Sequence, residues 1–261
     1  MTLFECQDVH YAYQGRFPAL DGVNLTVAAG ERVALVGANG SGKSTLLALL
    51  DGLAFASRGS VRFGGRELTE AAFRDEAFSL AFRRRVGLIF QNPDVQLFCP
   101  TVREDIVFGP LQLGDDAPTT EARLAGLAAE FGVEALLDRP PHQLSVGEKR
   151  RVAFASVLAI DPEVLLLDEP TAGLDPRTTT HLIERLHEAC HRGRTIVTAT
   201  HDLHVLADIA DTVHVFGHDR RLAASGTPEQ ILADHALLEA NNLIHLHPRH
   251  THDHRQYRWQ G

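Results

Sequence analysis

The sequence predicts an α/β fold whose mostly parallel sheet is covered by helices on both faces. Short apolar runs typical of buried strands recur along the chain, at residues 31–36, 86–90, 164–168, 195–200 and 212–216. Stretches with helical periodicity lie between these runs, such as residues 178–192. Continuous apolar strands that alternate with helices are typical of parallel sheets buried on both sides.

Two regions depart from this alternation. Residues 2–27 are rich in strand-forming residues and predict a β subdomain at the start of the chain. Residues 101–160 carry almost only helical pattern and predict a helical lobe inserted into the α/β core. We therefore expect one domain over residues 1–235, followed by a histidine-rich tail over residues 236–261.

Charge and cysteine content narrow the classes of function. The net charge of −9 gives an acidic surface, which makes nucleic acid an unfavourable partner. The three cysteines, Cys6, Cys99 and Cys190, are far apart and predict reduced thiols in a cytoplasmic protein. No apolar run approaches the roughly 18 residues of a membrane span, so any membrane role is expected to come through a partner.

The segment GANGSGKST, from Gly37 to Thr45, matches the phosphate-loop pattern G-x-x-x-x-G-K-[ST]. Its glycines allow backbone N–H groups to turn toward phosphates, and the following helix points its positive dipole end at the same anion. Lys43 is expected at the β- and γ-phosphates, and the Ser44 hydroxyl at Mg²⁺. The predicted ATP-binding residues here are Gly37, Asn39, Gly40, Ser41, Gly42, Lys43, Ser44 and Thr45.

The segment VLLLDEP, residues 164–170, places two adjacent carboxylates at the end of an apolar strand. Asp168 is expected to hold Mg²⁺, and Glu169 to polarise the attacking water as a general base. An ordinary helix cap is the alternative for both residues. Their combination with a phosphate loop favours the catalytic interpretation.

Four further segments narrow the class of ATPase: QLSVGEKRRVAFASVLA at 143–159, Gln91 after the 86–90 strand, AGLDP at 172–176, and His201 after TIVTAT. In this order, the set resembles the ATPase subunit of ABC transporters over nearly the whole chain up to about residue 235. The resemblance implies the ABC ATPase form of the P-loop NTPase fold, with an antiparallel N-terminal β subdomain. It also implies ATP and Mg²⁺ as ligands.

The segment LSVGE at 144–148 is similar to the family's signature motif, usually LSGGQ. The resemblance implies that Ser145 and Gly147 reach the γ-phosphate bound by the other subunit of a dimer. Val146 replaces a glycine and is expected to face away from the phosphate. Glu148 replaces a glutamine, and its charge is expected to be offset by the basic residues that follow, Lys149, Arg150 and Arg151.

The resemblance also implies roles for single residues outside these segments. Gln91 would link Mg²⁺ and the attacking water to the helical lobe, and His201 would contact the γ-phosphate. Asp175 would couple the two sites of the dimer. Tyr13 would stack on adenine, with a packing role as the alternative, and Tyr11 is expected to face the other side of the strand.

Residues 90–114 contain QNPDVQLF and DIVFGP, which resemble ATPases of energy-coupling-factor importers, most of all the cobalt and nickel group. That resemblance implies a homodimer on the cytoplasmic face of the cell membrane. Its partners would be a transmembrane coupling protein and a substrate-capturing membrane protein. Leu97 and Phe98 are expected either to help receive a coupling helix or to pack the helical lobe.

Five histidines fall between His245 and His254, and imidazole is the commonest protein ligand for nickel and cobalt. The stretch agrees with metal as cargo, although a solvated polar tail is the better single explanation of its structure. Three other interpretations remain: a vitamin importer of the same family, a metal-storage or chaperone protein with a regulatory cassette, and a soluble ABC ATPase acting on nucleic acid or ribosomes. The single cassette and acidic charge rank the last of these lowest.

Overall fold

A computed structural model describes residues 1–244 and contains two β-sheets and a helical lobe. The strands in chain order are β1 (Thr2–Tyr13), β2 (Phe17–Ala28), β3 (Arg32–Val36), β4 (Arg58–Phe63), β5 (Arg66–Glu67), β6 (Val86–Ile89), β7 (Val164–Asp168), β8 (Thr195–Thr200), β9 (Thr212–Phe216) and β10 (Leu222–Gly226). The α-helices are α1 (Lys43–Leu50), α2 (Glu70–Phe73), α3 (Glu76–Arg85), α4 (Val102–Gln112), α5 (Ala117–Phe131), α6 (Val146–Leu158), α7 (Pro176–His191), α8 (Leu206–Ile209), α9 (Pro228–Ala233) and α10 (His235–Ala240).

The larger sheet has the strand order β10-β9-β3-β8-β7-β6 and is parallel except for the edge strand β10. Strands β3, β7 and β8 are buried almost throughout, as their uninterrupted apolar sequences predict. Their carboxyl ends meet at one edge, where Val36 pairs with Thr200 and Asp168 with Ala199. The predicted α/β class with a mostly parallel core is confirmed.

The smaller sheet is antiparallel, with the order β2-β1-β4-β5. The predicted β subdomain at the start of the chain therefore forms. Strand β1 contains several register irregularities against β2, and it ends at Tyr13 beside the phosphate loop.

The helical lobe consists mainly of α4, α5 and α6, which pack on one another around a hydrophobic cluster of their own. Each helix begins at a residue whose side chain accepts a hydrogen bond from the first turn: Thr101, Asp116 and Ser145. The lobe lies in the chain between β6 and β7 of the core sheet.

Residues beyond the expected domain end at 235 still pack against the core. Leu238 is 2% exposed, and Leu243 and Ile244 contact the same cluster beneath β9. Packed structure therefore extends at least to Ile244, whereas most of the predicted histidine-rich tail lies outside the described residues. None of the helices in residues 1–244 combines the length and apolarity that a membrane span requires.

Candidate nucleotide site

The phosphate loop connects β3 to α1 and borders a cavity of about 460 Å³. Gly42 precedes α1 with φ = 113°, and a Cβ atom there would lie 2.5 Å from the Ala19 carbonyl oxygen. Only glycine meets both conditions without strain. The cavity is lined by Tyr13, Phe17, Pro18, Ala19, Asn39, Gly40, Gly42, Lys43, Ser44, Thr45, Gln91, Glu169 and Arg220.

Lys43 is held inside the curve of the loop. Its Nζ atom donates to the carbonyl oxygens of Gly37 at 2.7 Å and Ala38 at 3.2 Å. Burial lowers the pKa of Lys43, whereas the carboxylates of Glu169 and Asp168 act in the opposite direction. An ammonium group placed among inward-turned backbone groups can bind a phosphate anion.

Ser44 and Asp168 meet at the edge of the sheet, where the Ser44 hydroxyl donates to the Asp168 carboxylate at 3.0 Å. Burial raises the pKa of Asp168, and the hydrogen bond from Ser44 partly offsets this effect. A hydroxyl and a carboxylate oxygen in contact are the donor types that Mg²⁺ prefers. The residues present therefore fit a magnesium ion.

Glu169 and His201 form a second pair beside the cavity. The Glu169 side chain contacts His201 Nδ1 at 2.8 Å and accepts a hydrogen bond from the Thr200 hydroxyl at 3.2 Å. Glu169 is 5% exposed and has a positive φ of 47°, which is uncommon outside glycine. This buried carboxylate at the border of the cavity can accept a proton from a water molecule bound there.

Tyr13 also lines the cavity, and its hydroxyl contacts the Thr45 hydroxyl at 3.0 Å. About half of this residue is exposed, so the ring is accessible to a planar ligand. The expectation that Tyr11 faces the other side is wrong, because the two rings pack edge to face at 5.0 Å. Residues two apart on a strand point to the same face. Gln91 lines the same cavity.

Ser145, Gly147 and Asp175 are absent from the lining of this cavity. Ser145 is the N-cap of α6 and Asp175 is the N-cap of α7, and both are exposed. Hydrogen bonds from Thr178 and Arg177 lower the pKa of Asp175. The predicted residues therefore fall into three groups: those that line the cavity, those that contact its lining, including Asp168 and His201, and those at two helix N-termini outside it.

The structure explains both departures in the signature segment. Val146 is 60% exposed at the start of α6. The Glu148 carboxylate accepts hydrogen bonds from the backbone N–H and the hydroxyl of Ser145, both at 2.7 Å. The first of these bonds and the bond from the Glu148 N–H to the Ser145 hydroxyl form a capping box. The two bonds that the carboxylate accepts lower the pKa of Glu148.

The expected charge compensation of Glu148 is correct for only one of the three basic residues. Lys149 forms an ion pair with Asp94 at 2.6 Å, and the Arg150 guanidinium donates hydrogen bonds to backbone carbonyl oxygens. The charge of Arg151 acts on Glu148, weakly compared with the bonds from Ser145.

Sequence reasoning missed the anchoring role of Arg150. This residue is 6% exposed and donates to carbonyl oxygens at four positions, Gln91, Glu169, Pro170 and Ala172, at 2.6–3.2 Å. It also missed Phe17 and Arg220, which line the cavity. No pattern in the sequence singles out these residues, because their partners are backbone atoms or residues distant in the chain.

Together, the fold and the cavity define a P-loop ATPase with an inserted helical lobe. The ABC transporter family model matches residues 20–172. The chain belongs to the ABC transporter family, as an ATP-binding subunit that hydrolyses ATP.

Individual relatives agree with this assignment. The chain is 54% identical over 244 residues to the nickel import ATP-binding protein NikO of Rhodobacter capsulatus, which covers 92% of this chain and 95% of that protein. It is 42% identical over 241 residues to the energy-coupling factor transporter ATP-binding protein EcfA of Methanothermobacter thermautotrophicus, covering 92% and 76%. The structure of CbiO1 from Clostridium perfringens, part of the ABC transporter complex CbiONQ, has a TM-score of 0.76 at 34% identity and covers 93% and 95%. The predicted ABC ATPase fold is therefore confirmed.

Proposed function

We propose that this protein is the ATPase subunit of an energy-coupling-factor importer that takes up nickel or cobalt ions. The likeness to the nickel import protein of R. capsulatus, which spans nearly the full length of both chains, carries this proposal. The likeness to EcfA supports the transporter type. In this proposal the subunit lies on the cytoplasmic face of the cell membrane, bound to a transmembrane coupling protein and a substrate-capturing membrane protein.

ATP occupies the cavity beside the phosphate loop in this proposal. Lys43 and the loop N–H groups bind the β- and γ-phosphates, and Tyr13 stacks on adenine. Ser44, Gln91 and Asp168 would hold Mg²⁺, which supplies positive charge against the phosphate oxygens. The contact between Ser44 and Asp168 supports this assignment.

Hydrolysis depends on Glu169 and His201 in this proposal. Glu169 accepts a proton from the attacking water, and His201 contacts the γ-phosphate and orients the carboxylate. The 2.8 Å contact between the two side chains supports a joint role. The burial of Glu169 also supports this joint role, because protein neighbours rather than water fix the orientation of the buried carboxylate.

Two copies of the chain complete each site in this proposal. Ser145 and Gly147 bind the γ-phosphate held by the other copy, and Asp175 couples the two sites. Their position outside the cavity of their own chain supports a function toward a partner. The exposed N-terminus of α6 adds a favourable dipole for an incoming phosphate.

An apolar surface on the helical lobe supports contact with a coupling protein. Phe98 is 66% exposed and packs edge to face on Phe108, which is 41% exposed; Leu111, one turn further along α4, is 44% exposed. Leu97 is 7% exposed and belongs to the lobe core. Of the two residues expected at a coupling groove, we therefore assign docking to Phe98 and packing to Leu97.

Uptake of ⁶³Ni²⁺ and ⁵⁷Co²⁺ by cells that express the protein with its membrane partners tests the proposal. Uptake of either metal should disappear in Glu169→Gln and persist in Glu163→Gln, the same chemical change at the other end of β7. Phe98→Ser should reduce uptake and retention of the coupling protein during purification. ATPase activity without transport of either metal would contradict the metal substrate and redirect the test to vitamins.

A further inference from the structure

We propose that Arg220 binds the nucleoside part of ATP, in the part of the cavity that Tyr13 and Phe17 line. The residue lies in the turn between β9 and β10, far in sequence from the phosphate loop. Its side chain nevertheless lines the cavity together with Tyr13 and Phe17. This inference rests on the proposed nucleotide site and adds a residue to it.

The turn that carries Arg220 is fixed by hydrogen bonds on both sides. The Arg220 N–H donates to the Gly217 carbonyl at 3.1 Å, and the Arg220 carbonyl accepts from the Asp21 N–H at 3.1 Å. The second bond ties the turn to β2, the strand that contributes Phe17, Pro18 and Ala19 to the cavity wall. Arg220 is therefore positioned beside the β2 end of the cavity.

Two adjacent arginines in this turn have different environments. Arg221 donates to the Asp21 carboxylate from Nε at 2.8 Å and Nη2 at 2.6 Å. The ion pairs among residues 1–244 do not include Arg220. Arg221 therefore supplies the side-chain anchor of the turn, and Arg220 contributes through its backbone, which leaves the Arg220 guanidinium available to a ligand.

The backbone of Arg220 is held in an uncommon conformation. Its φ is +66°, in the left-handed region where glycine and asparagine are most easily accommodated. Turns of this kind usually place glycine at such a position. An arginine held there carries a conformational cost, and such costs concentrate at ligand sites.

The cavity wall around Arg220 indicates which part of ATP it meets. Tyr13 and Phe17 are paired across β1 and β2, and both are substantially exposed. An arginine that lines the same cavity as two accessible aromatic rings suits a flat, electron-rich base by stacking and a ribose hydroxyl by hydrogen bonding. Lys43, by contrast, lies within the phosphate loop.

Calorimetric titration of Arg220→Gly with ADP and a non-hydrolysable ATP analogue, both with Mg²⁺, tests the proposal. The Kd should rise about three- to tenfold, the range of a cation–π contact, and by equal factors for the two nucleotides. The KM for ATP should rise with it, while kcat stays close to wild type. The Tm should stay equal or increase, because glycine relieves the positive φ.

Arg58→Gln serves as the control, since it removes one positive charge at an exposed side chain outside the cavity. Unchanged affinity in Arg220→Gly would overturn the proposal. A lower Tm together with weaker binding would assign a structural role instead, and a larger loss for the ATP analogue than for ADP would place the contact at the γ-phosphate. Normal ATP binding in Lys43→Ala would show that the nucleotide site itself is wrongly assigned.

Discussion

At the scale of single residues, Glu169 combines burial, a left-handed backbone and a bond to His201. We expect Glu169→Gln to retain ATP binding and to slow hydrolysis about 10²–10⁴-fold, the usual range for loss of a general base. Glutamine preserves the shape of the side chain and one acceptor oxygen, but it replaces the other oxygen with an amide donor and accepts a proton poorly. Steady-state phosphate release and equilibrium ATP binding measure the two effects separately.

The control for this change is Glu163→Gln, whose side chain pairs with Arg85 on the surface. It should hydrolyse ATP at nearly the wild-type rate. Wild-type turnover in Glu169→Gln would show that Glu169 is not the general base of ATP hydrolysis.

Asp51 is a second residue whose environment has a measurable effect, in this case on how the stability of the fold depends on pH. It caps the C-terminus of α1, and burial raises its pKa to about 7, whereas Arg83 lowers it. A carboxyl group with a raised pKa stabilises the fold at low pH, and this contribution is lost as the pH rises toward 7. We expect Asp51→Asn to be more stable than wild type at pH 8, by up to about 4 kcal/mol.

The difference in unfolding free energy between Asp51→Asn and wild type should shrink from pH 8 to pH 5. Asp116 provides a comparison of opposite sign, because hydrogen bonds from Thr119 lower its pKa. Asp116→Ala should lose stability relative to wild type as the pH rises from 3 to 5. Denaturant titrations at each pH measure both, and a pH-independent difference for Asp51→Asn would refute the assignment.

Residues in local motifs could be predicted from the sequence, and residues that act through the fold could not. Lys43, Ser44 and Asp168 follow from two short patterns, and in the structure the Ser44 hydroxyl donates to the Asp168 carboxylate. Arg150 binds carbonyl oxygens of distant segments, and Arg220 lines a cavity that distant segments form, so neither role can be seen in a local pattern.

At the scale of secondary structure elements, the phosphate loop depends on two glycines in different ways. Gly42 has both a positive φ and a backbone oxygen where a Cβ would lie, whereas Gly40 has φ = 79° and open space. We expect Gly42→Ala to weaken ATP binding about tenfold or more, from strain of roughly 1–3 kcal/mol. Gly40→Ala should have a smaller effect. Equal losses would mean that φ alone determines the cost.

The core strands matched their predicted bounds closely because each is a continuous apolar run that ends at a polar or glycine residue. Strand β7 and strand β8 occupy the expected residues, 164–168 and 195–200. The end of the domain was less predictable. The segment after residue 235 packs on the core through only four apolar side chains, those of Leu237, Leu238, Leu243 and Ile244. A segment this short has too few residues to show the hydrophobic periodicity of a helix or strand.

At the scale of the whole molecule, Arg150 connects the helical lobe to both loops that border the cavity. It donates from α6 to carbonyls after β6 and after β7. A lysine has one donor nitrogen, whereas Arg150 uses Nη1 toward the loop after β7 and Nη2 toward Gln91 after β6, so a lysine cannot bind both loops in the same way. We expect Arg150→Lys to lower the unfolding free energy by about 2–5 kcal/mol.

The same substitution should reduce ATP turnover more than ATP affinity, because Gln91 and Glu169 lose their common anchor while the phosphate loop is untouched. Arg103→Lys is the control, because the Arg103 guanidinium pairs with Glu121 on the surface. Unfolding curves and ATPase assays of both variants separate the loss of the Arg150 anchor from a general effect of replacing arginine with lysine. Equal behaviour of the two variants would show that the anchor is unimportant.

The placement of Ser145 and Gly147 outside the cavity of their own chain has a kinetic consequence. If each active centre needs groups from two molecules, the rate in dilute solution rises with the square of protein concentration until all molecules are paired. A transporter that holds two copies side by side replaces this encounter with a fixed local concentration. Idle subunits that have not joined a complex would then consume little of the cell's ATP.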